Sequence, residues 1–435
     1  MYPTLADILR DLLGDSLPLG LYRFLHVFNS FGIMMALSFI AAAYVLKKEL
    51  ARMLQAKQIN VIQREILENE PASAMGYVRN ALLGGLLGFK LGLFLTDYNR
   101  TTADVQAAFF SKRGSLLFLF VGSLLAAAVY YWENRNNKTA PTKKLIQLSA
   151  GDIVGEVVIR AALGGIIGAK LFHCLEYWND FIQDPFGLLF SGSGLTFYGG
   201  LILGAAAVVH WAYQNKVSYR RLADAIAPGL MLAYALGRVG CMLAGDGDWG
   251  IYNSAYITNG DGSVQAVDQL AYEKQVNANA HYFYRQYESL DKIPHASVKA
   301  PAFLPDWTFA FSFPHNVISE GVLMDNCQGE HCAALPVPAF PTPFYETVIC
   351  LLFFSLLMII RKRLKVAGML IAIYMVLNGI ERWTIEQIRV NSTYSIFGFH
   401  PTQAELISFI LIVIGAVWYF YLSKKKDNTE LNEAN

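Results

Sequence analysis

The sequence predicts an all-α polytopic membrane protein, with about nine transmembrane helices and one long extracytoplasmic insertion. Three observations carry that prediction. Of the 435 residues, 54% are hydrophobic and 16% charged, the balance of a membrane chain and not of a soluble one. Nine apolar runs are long enough to span a bilayer, over residues 25–46, 78–97, 114–132, 153–175, 195–214, 223–244, 344–361, 366–388 and 404–423. Basic residues fall in alternate connections, the pattern of cytoplasmic loops. The formal net charge of +1 gives no signal for nucleic acid. Phe, Trp and Tyr, at 13%, suit the aromatic belts of two membrane interfaces.

Residues 1–24 read as an N-terminal extracytoplasmic or interfacial segment. MYPTLADILRDLLGDSLPLG has no basic start and carries Asp7, Asp11 and Asp15, so it does not resemble a cleavable signal. Leu5, Ile8, Leu9, Leu12 and Leu13 recur at helical spacing. That fits either an amphipathic helix on the membrane surface or a soluble cap. Lys47, Lys48, Arg52, Lys57 and Arg64 follow the first span. Arg135, Lys138, Lys143 and Lys144 follow the third, and Lys216, Arg220 and Arg221 the fifth. Arg361, Lys362, Arg363 and Lys365 follow the seventh, and Lys424, Lys425 and Lys426 the ninth. These loops are expected in the cytoplasm, which puts the N-terminus outside and the 424–435 tail inside.

Residues 25–244 hold the first six spans, and an internal repeat lies within them. LLGGLLGFKL (82–91) matches ALGGIIGAKL (162–171), and SLLAAAVYYW (123–132) resembles LILGAAAVVHW (201–211). Residues 78–132 and 153–214 therefore read as two copies of one helix pair. Small-residue membrane helices also resemble one another by composition; the shared Gly-Gly, lysine and offset favour duplication. Only the second copy has GLTFYGGL (194–201). The connection 245–343 holds 11 Asp and Glu against four Lys and Arg, and is expected to be a small extracytoplasmic domain. Residues 344–423 carry the last three spans. Within the connection, Cys327 and Cys332 favour a disulfide over a metal clip with His331. Cys174, Cys241 and Cys350, in or beside apolar runs, read as packing residues. His26, His173 and His400 read as interfacial.

Arg238 and Arg382 lie near the far ends of the sixth and eighth spans. A guanidinium in a membrane segment costs about 2.5–3.5 kcal/mol on insertion scales. An anion held between the two would compensate, and in a bilayer that anion is most simply a lipid phosphate. The expected orientation brings Tyr198, Gly199, Gly200, Arg238, Tyr345, Glu346, Arg382, Glu386 and Arg389 to one depth in the outer leaflet. Asn378, Arg382 and Glu386 are spaced by four and share a helix face. Glu386 either orients Arg382, accepts a proton, or only neutralises it. Arg389 reads equally as a ligand or as an interfacial anchor. Pro228-Gly229 is expected to interrupt the sixth span, facing a cavity or merely kinking the helix. In GRVGCMLAGDGDWG (237–250) small residues surround Arg238 and would let a phosphate approach the backbone. Asp246 reads as a substrate-orienting group or a cation ligand, and Asp248 as a turn residue. No Walker loop, nucleophile elbow or HExxH is present, and the histidines form no ligand cluster.

At these residues the chain resembles the prolipoprotein diacylglyceryl transferase family of the bacterial inner membrane, over about 153–244 and 337–408. GGIIGAKL (164–171) resembles the family's glycine-rich helix, and LTFYGGLILG (195–204) its histidine-Gly-Gly segment. The run 223–250 is similar to its long signature, with Arg238 at the essential arginine. FPTPFYE (340–346) resembles the entry to a late helix and carries Tyr345. GIERWTIEQIR (379–389) resembles the segment of the second essential arginine, here Arg382, with Glu386 as its acidic partner. HPTQAELIS (400–408) resembles the last-helix motif. The chain departs at Tyr198 where the best-known members have histidine, at Phe31-Gly32 for tyrosine-glycine, and at Cys241 for asparagine. One extra residue precedes Trp249.

The resemblance implies transfer of the diacylglyceryl group of phosphatidylglycerol to the lipobox cysteine thiol of a prolipoprotein, the first step of lipoprotein maturation. A thiolate attacks the glycerol C3 carbon and glycerol phosphate leaves. The implied partners are phosphatidylglycerol, the prolipoprotein lipobox peptide and the bilayer; no cofactor and no metal are implied. Arg238 and Arg382 would hold the leaving phosphate. Gly199, Gly200, Cys241, Asp246, Gly250, Tyr345, Asn378 and Arg389 would line the substrate. A free thiol has a pKa of about 8.5, raised by apolar burial, so it needs a base or a nearby cation. Tyr198 and Glu386 are both candidates. Two other readings stand beside this one: a transporter of an anionic lipid or metabolite, and an inactive relative that binds lipid or lipoprotein precursors.

Overall fold

The computed structural model describes the chain except for residues 15–17, 69–71, 98–107, 109–110, 112, 136–141, 191–195, 328, 392–400 and 434–435. His400, and Gly194 and Leu195 of the Tyr-Gly-Gly motif, lie outside the described residues. Among the described residues, nine long helices fall on the nine apolar runs. They are α1 (Ser30–Gln55), α2 (Ala74–Leu91), α3 (Leu116–Asn134), α4 (Ala150–Glu176), α5 (Phe197–Gln214), α6 (Tyr219–Ala244), α7 (Thr342–Ile360), α8 (Met369–Glu386) and α9 (Gln403–Glu433). Seven helices among the described residues are long and apolar enough to cross a membrane. The other two long helices are α5 and α8. The first ends in the polar run HWAYQ, and the second carries Glu381, Arg382 and Glu386. The fold is an all-α polytopic membrane protein.

Several helices outrun their apolar segments. α1 continues through KKELARMLQ to Gln55, because nothing breaks the helix until Lys57 takes a positive φ of 53°. Hydropathy marks where a bilayer ends and not where hydrogen bonding does. α6 runs as one element through Pro228, so the expected interruption is absent. Gly229 there serves packing: a Cβ on it would lie 3.0 Å from the Ala42 carbonyl oxygen of α1.

The chain divides into two compact units, residues 50–219 and residues 1–49 with 220–435. In the first, α2 packs on α3 and α4 on α5 through glycine. A Cβ at Gly88 would strike the Phe118 carbonyl oxygen, and one at Gly168 the Gly199 carbonyl oxygen. Close backbone approach through small residues is how helices associate without a hydrophobic driving force between them. The lysines that weaken the apolar character of α2 and α4 have parallel roles. Lys90 Nζ donates to the Arg113 carbonyl (2.8 Å) and Lys170 Nζ to that of Leu188 (3.2 Å), each satisfying backbone in the connection that follows its helix. Two strands absent from the sequence reading, Gln63–Glu68 and Thr142–Gln147, pair antiparallel, from Gln63 with Gln147 to Glu68 with Thr142. Each precedes one copy of the repeated helix pair. Their charged, weakly alternating sequences hid them.

In the second unit, Asp224 at the start of α6 accepts from the backbone N–H groups of Gly368 (2.7 Å) and Ile371 (2.9 Å). These donors at the start of α8 are ones a helix cannot satisfy itself, so the contact pins α8 against α6. Glu49 of α1 pairs with Arg361 at the end of α7 (3.0 Å). Residues 245–341 contain short strand pairs, the helix Gln269–Ala278 capped by Asp268, and an aromatic core of Tyr252, Tyr272, Tyr282, Phe283 and Phe313. Cys327 and Cys332 form a disulfide. The N-terminal segment contains the helix Leu5–Leu13, capped by the Thr4–Asp7 box. Its start is tied down by Tyr2 N–H to the Leu243 carbonyl (2.8 Å).

Candidate active site

Three helices and one turn bring together most of the polar residues singled out in the sequence. Arg238 projects from α6, Glu346 from the first turns of α7, and Arg382 and Glu386 from α8. Glu346 is fully buried and bridges the two arginines, with Oε2 3.1 Å from Arg238 Nε and Oε1 3.5 Å from Arg382 Nη1. Arg382 Nη2 lies 2.9 Å from Glu386 Oε2, one helical turn away. The other Glu386 oxygen accepts from Asn391 Nδ2 (2.8 Å). Asp248 pairs with both Arg238 and Arg389. It is therefore more than a turn residue, and Arg389 is more than an interfacial anchor.

This network offsets the cost of burying its charges. Removing water from an ion is expensive, and a buried charge persists only when paired and hydrogen-bonded. Arg238 and Arg382 are each held by two carboxylates, yet a guanidinium has five N–H donors, so donors remain for a further anion. Arg238 and Arg382 keep 18% and 25% of their side-chain surface exposed, while Glu346 keeps none. The arginines thus present an accessible edge and the bridging carboxylate lies behind them. Burial opposes ionisation of Asp248, but the Arg238 and Arg389 guanidiniums outweigh it and hold its carboxyl below the usual carboxylate value.

Two further residues belong to this centre. The Tyr234 hydroxyl, one turn before Arg238, lies within reach of Glu346 Oε1 (3.3 Å) and Glu381 Oε1 (3.5 Å), and Arg238 stacks over its ring at 5.2 Å. Glu381 is buried, and its Oε2 has no hydrogen-bond partner among the described residues. Spacing could have found Tyr234, four residues before Arg238, and adjacency could have found Glu381. Both hid in apolar runs.

The remaining predicted residues fall in different places. Cys241 is buried, with Sγ 3.7 Å from Arg238 Nη1. Asp246 accepts from the Asp248 N–H (3.3 Å), so it shapes the turn that presents Asp248. Gly250 permits close approach: a Cβ there would lie 2.7 Å from the Ile388 carbonyl oxygen. Tyr345 points away from the arginines, donating to the Thr308 carbonyl (2.6 Å). Asn378 is half-buried, one turn before Arg382. Tyr198, Gly199 and Gly200 belong to the 50–219 unit, where Gly199 meets α4 at Gly168 and Phe172. Donor atoms of Cys241, Asp246 and Asp248 lie within 4.8 Å of one another. Asp248 is already shared by two guanidiniums, whose charge opposes a cation there.

A sequence profile of the prolipoprotein diacylglyceryl transferase family matches residues 115–421, which include every residue of the arginine centre. The chain is similar to the phosphatidylglycerol–prolipoprotein diacylglyceryl transferase of Streptococcus uberis, 26% identical over 305 residues that cover 69% of this chain and 88% of that protein. It is 24% identical to the enzyme of that name from Leptospira interrogans over 326 residues, 63% of this chain and 80% of the other. A Clostridium perfringens protein, phosphatidylglycerol–prolipoprotein diacylglyceryl transferase 2, is 38% identical over a shorter 96 residues, 22% of this chain and 37% of its own. With the profile spanning well over half of its length, the chain belongs to the prolipoprotein diacylglyceryl transferase family.

Proposed function

We propose that this chain moves the diacylglyceryl group of phosphatidylglycerol onto the lipobox cysteine of a prolipoprotein, and that the Arg238–Glu346–Arg382 bridge is its phosphate seat. The observation that carries the reading is two partly exposed guanidiniums fixed by one buried carboxylate inside a membrane helix bundle. The sulfur–carbon bond forms at glycerol C3 as the carbon–oxygen bond to phosphate breaks. Negative charge moves onto the departing glycerol phosphate. Guanidiniums already held in place stabilise that charge without reorganising, and in a dry site such stabilisation is a large part of catalysis. Glu346 sets the separation of the two arginines, and Glu386 and Asp248 fix their outer edges.

The thiol proton needs an acceptor. Glu386 sits beside Arg382, where an incoming phosphate would displace part of its ion pair. Tyr198 stands at the position of the family's histidine. Comparing the pH profiles of Glu386→Gln and Tyr198→Phe assigns the role to the variant that loses the rise of transfer rate with pH, because a base accepts the thiol proton only once it is itself deprotonated.

The proposed location is the bacterial inner membrane, with the N-terminus outside, the tail in the cytoplasm and residues 245–343 outside. Contacts among the basic helix ends support one common side for them: Arg361 pairs with Glu49, and Arg221 donates to the Lys365 carbonyl (2.5 Å). The Cys327–Cys332 disulfide suits an oxidising compartment for the insertion.

The deciding experiment gives purified protein phosphatidylglycerol and a synthetic lipobox peptide and weighs the peptide. A diacylglyceryl mass gain, lost in Arg238→Ala, is the expected result. Lipid binding with no mass gain would overturn catalysis and leave a lipid-binding relative.

A further inference from the structure

Residues 300–308 form an apolar loop of unusual exposure at the edge of the 245–341 insertion. Phe303 is 83% exposed, Leu304 40% and Trp307 42%. Three large apolar side chains in five residues, facing out together, are not the scattered singles that a soluble surface tolerates.

The loop is built to hold that display. The hydroxyl of Tyr256, itself buried, accepts from the Ala300 N–H (2.8 Å) and donates to Asp306 Oδ1 (2.8 Å). One group thus ties both ends of the loop, and the one charged side chain between them is spent on that tie. Leu304 N–H bonds the Pro301 carbonyl (2.9 Å) and Thr308 N–H the Pro305 carbonyl (3.0 Å), so turns satisfy backbone donors internally. Pro301 and Pro305 have no N–H to satisfy.

The loop is also fastened where a membrane helix begins. Trp307 packs edge-on against Phe344, ring centroids 5.0 Å apart, and the Tyr345 hydroxyl bonds the Thr308 carbonyl (2.6 Å). Phe344 heads an apolar stripe on α7 that continues through Val348 and Leu352, which are 41% and 63% exposed. The inward side of the same helix carries buried Glu346. The stripe lies away from Glu346, where a lipid side of α7 would be, and Trp307 extends it one step beyond the helix end.

We propose that the Phe303–Leu304–Trp307 loop is seated in the lipid bilayer at the interface, anchoring the insertion to the membrane next to the entry of α7. Its occupant is lipid: the loop prolongs the exposed apolar stripe of α7, and aromatic residues favour the interfacial depth, where backbone groups still meet water. The inference does not depend on the reaction assigned above.

The test places a fluorophore on Phe303→Cys, with Leu304→Cys as a second site should the first fold poorly. The protein is reconstituted in phosphatidylcholine–phosphatidylglycerol vesicles. Labelled wild type corrects for the buried native cysteines. Glu288→Cys, at an exposed polar position of the insertion, is the aqueous reference. Quenching by nitroxide carried near the lipid headgroups should exceed quenching by aqueous iodide several-fold at 303 and 304, and the order should reverse at 288. Iodide quenching at 303 and 304 equal to that at 288, without lipid quenching, would overturn the proposal whatever the transfer assay shows.

Discussion

Within residues 50–219 helices meet through the absence of side chains, whereas α6, α7 and α8 add charge to an apolar contact of Met231, Ala235, Cys350, Leu357 and Leu370. Gly88 and Gly168 bring carbonyl oxygens of neighbouring helices so close that even a methyl group has no room. Across α6, α7 and α8, one buried carboxylate reaches two guanidiniums on different helices. Both devices answer the same problem, because lipid gives apolar helices no reason to prefer one another. They differ in what they leave over. A glycine seam is saturated once formed, whereas an arginine cluster with spare donors can take another anion. The seams are scaffold and the cluster is the part suited to chemistry.

The largest expected effect comes from removing a charge that the proposed transfer would use. Arg238→Ala should lower transfer by a factor of about 100 or more, the scale for losing one oriented donor to developing negative charge. Arg238→Lys separates charge from geometry: it keeps the cation but loses the planar fork that reaches Glu346 and Asp248 together. Transfer by the lysine variant, read as peptide mass, should stay well below wild type. Wild-type rates in Arg238→Lys would mean that only net charge matters and that the geometric argument is wrong.

Next comes Glu346→Gln. Breaking a buried ion pair from one side costs about 3–5 kcal/mol, and here one oxygen pair serves two arginines. A clear fall in thermal midpoint in detergent is expected along with the loss of transfer. An unchanged midpoint would show that the three helices are held by packing alone. The glycine seams should respond more mildly. Gly88→Leu and Gly168→Leu each force a helix pair apart, at about 1–3 kcal/mol for overpacking. Equal losses would support two copies of one scaffold; a large inequality would argue that the copies no longer do the same job.

Much of this was legible in the sequence because membrane spans and intramembrane arginines stand out from apolar surroundings. Among the described residues a long helix falls on each apolar run, seven of them long and apolar enough to cross a membrane, and Arg238, Arg382 and Glu386 came together with Arg389. The helix ends were less legible, since α1 goes on through lysine and glutamate that hydropathy counts as loop. Proline misled for a related reason. Pro228 removes one donor, but neighbouring helices can support a continuous α6, so no break follows. Glu346 was visible by position, but its bridging role needed α7 to be set between α6 and α8. Asp248 looked like a turn residue because aspartate is common in Gly-rich turns, and only the approach of Arg389 from a distant part of the chain gives it a second partner. The hydroxyl of Tyr345 donates to the Thr308 carbonyl, a direction set by its rotation about α7 that spacing alone does not give.

The smallest effect tests whether the charged turn beside α6 belongs to the cluster. Burial disfavours the Asp248 carboxylate, yet Arg238 and Arg389 hold its pKa below the usual value, which is about 3.9 in an unfolded chain. A carboxyl whose folded pKa is depressed contributes stability above the unfolded value and loses it as pH falls through the folded one. The difference in thermal midpoint between wild type and Asp248→Asn should therefore be steady at neutral and mildly acidic pH. It should shrink once the pH drops below about 4. A difference that persists undiminished at the acid end would mean the Asp248 carboxylate adds no stability as an anion, and that Arg238 and Arg389 are held by the rest of the network. In that case the turn would be only a turn, as its sequence first suggested, and the cluster would end at the three helices.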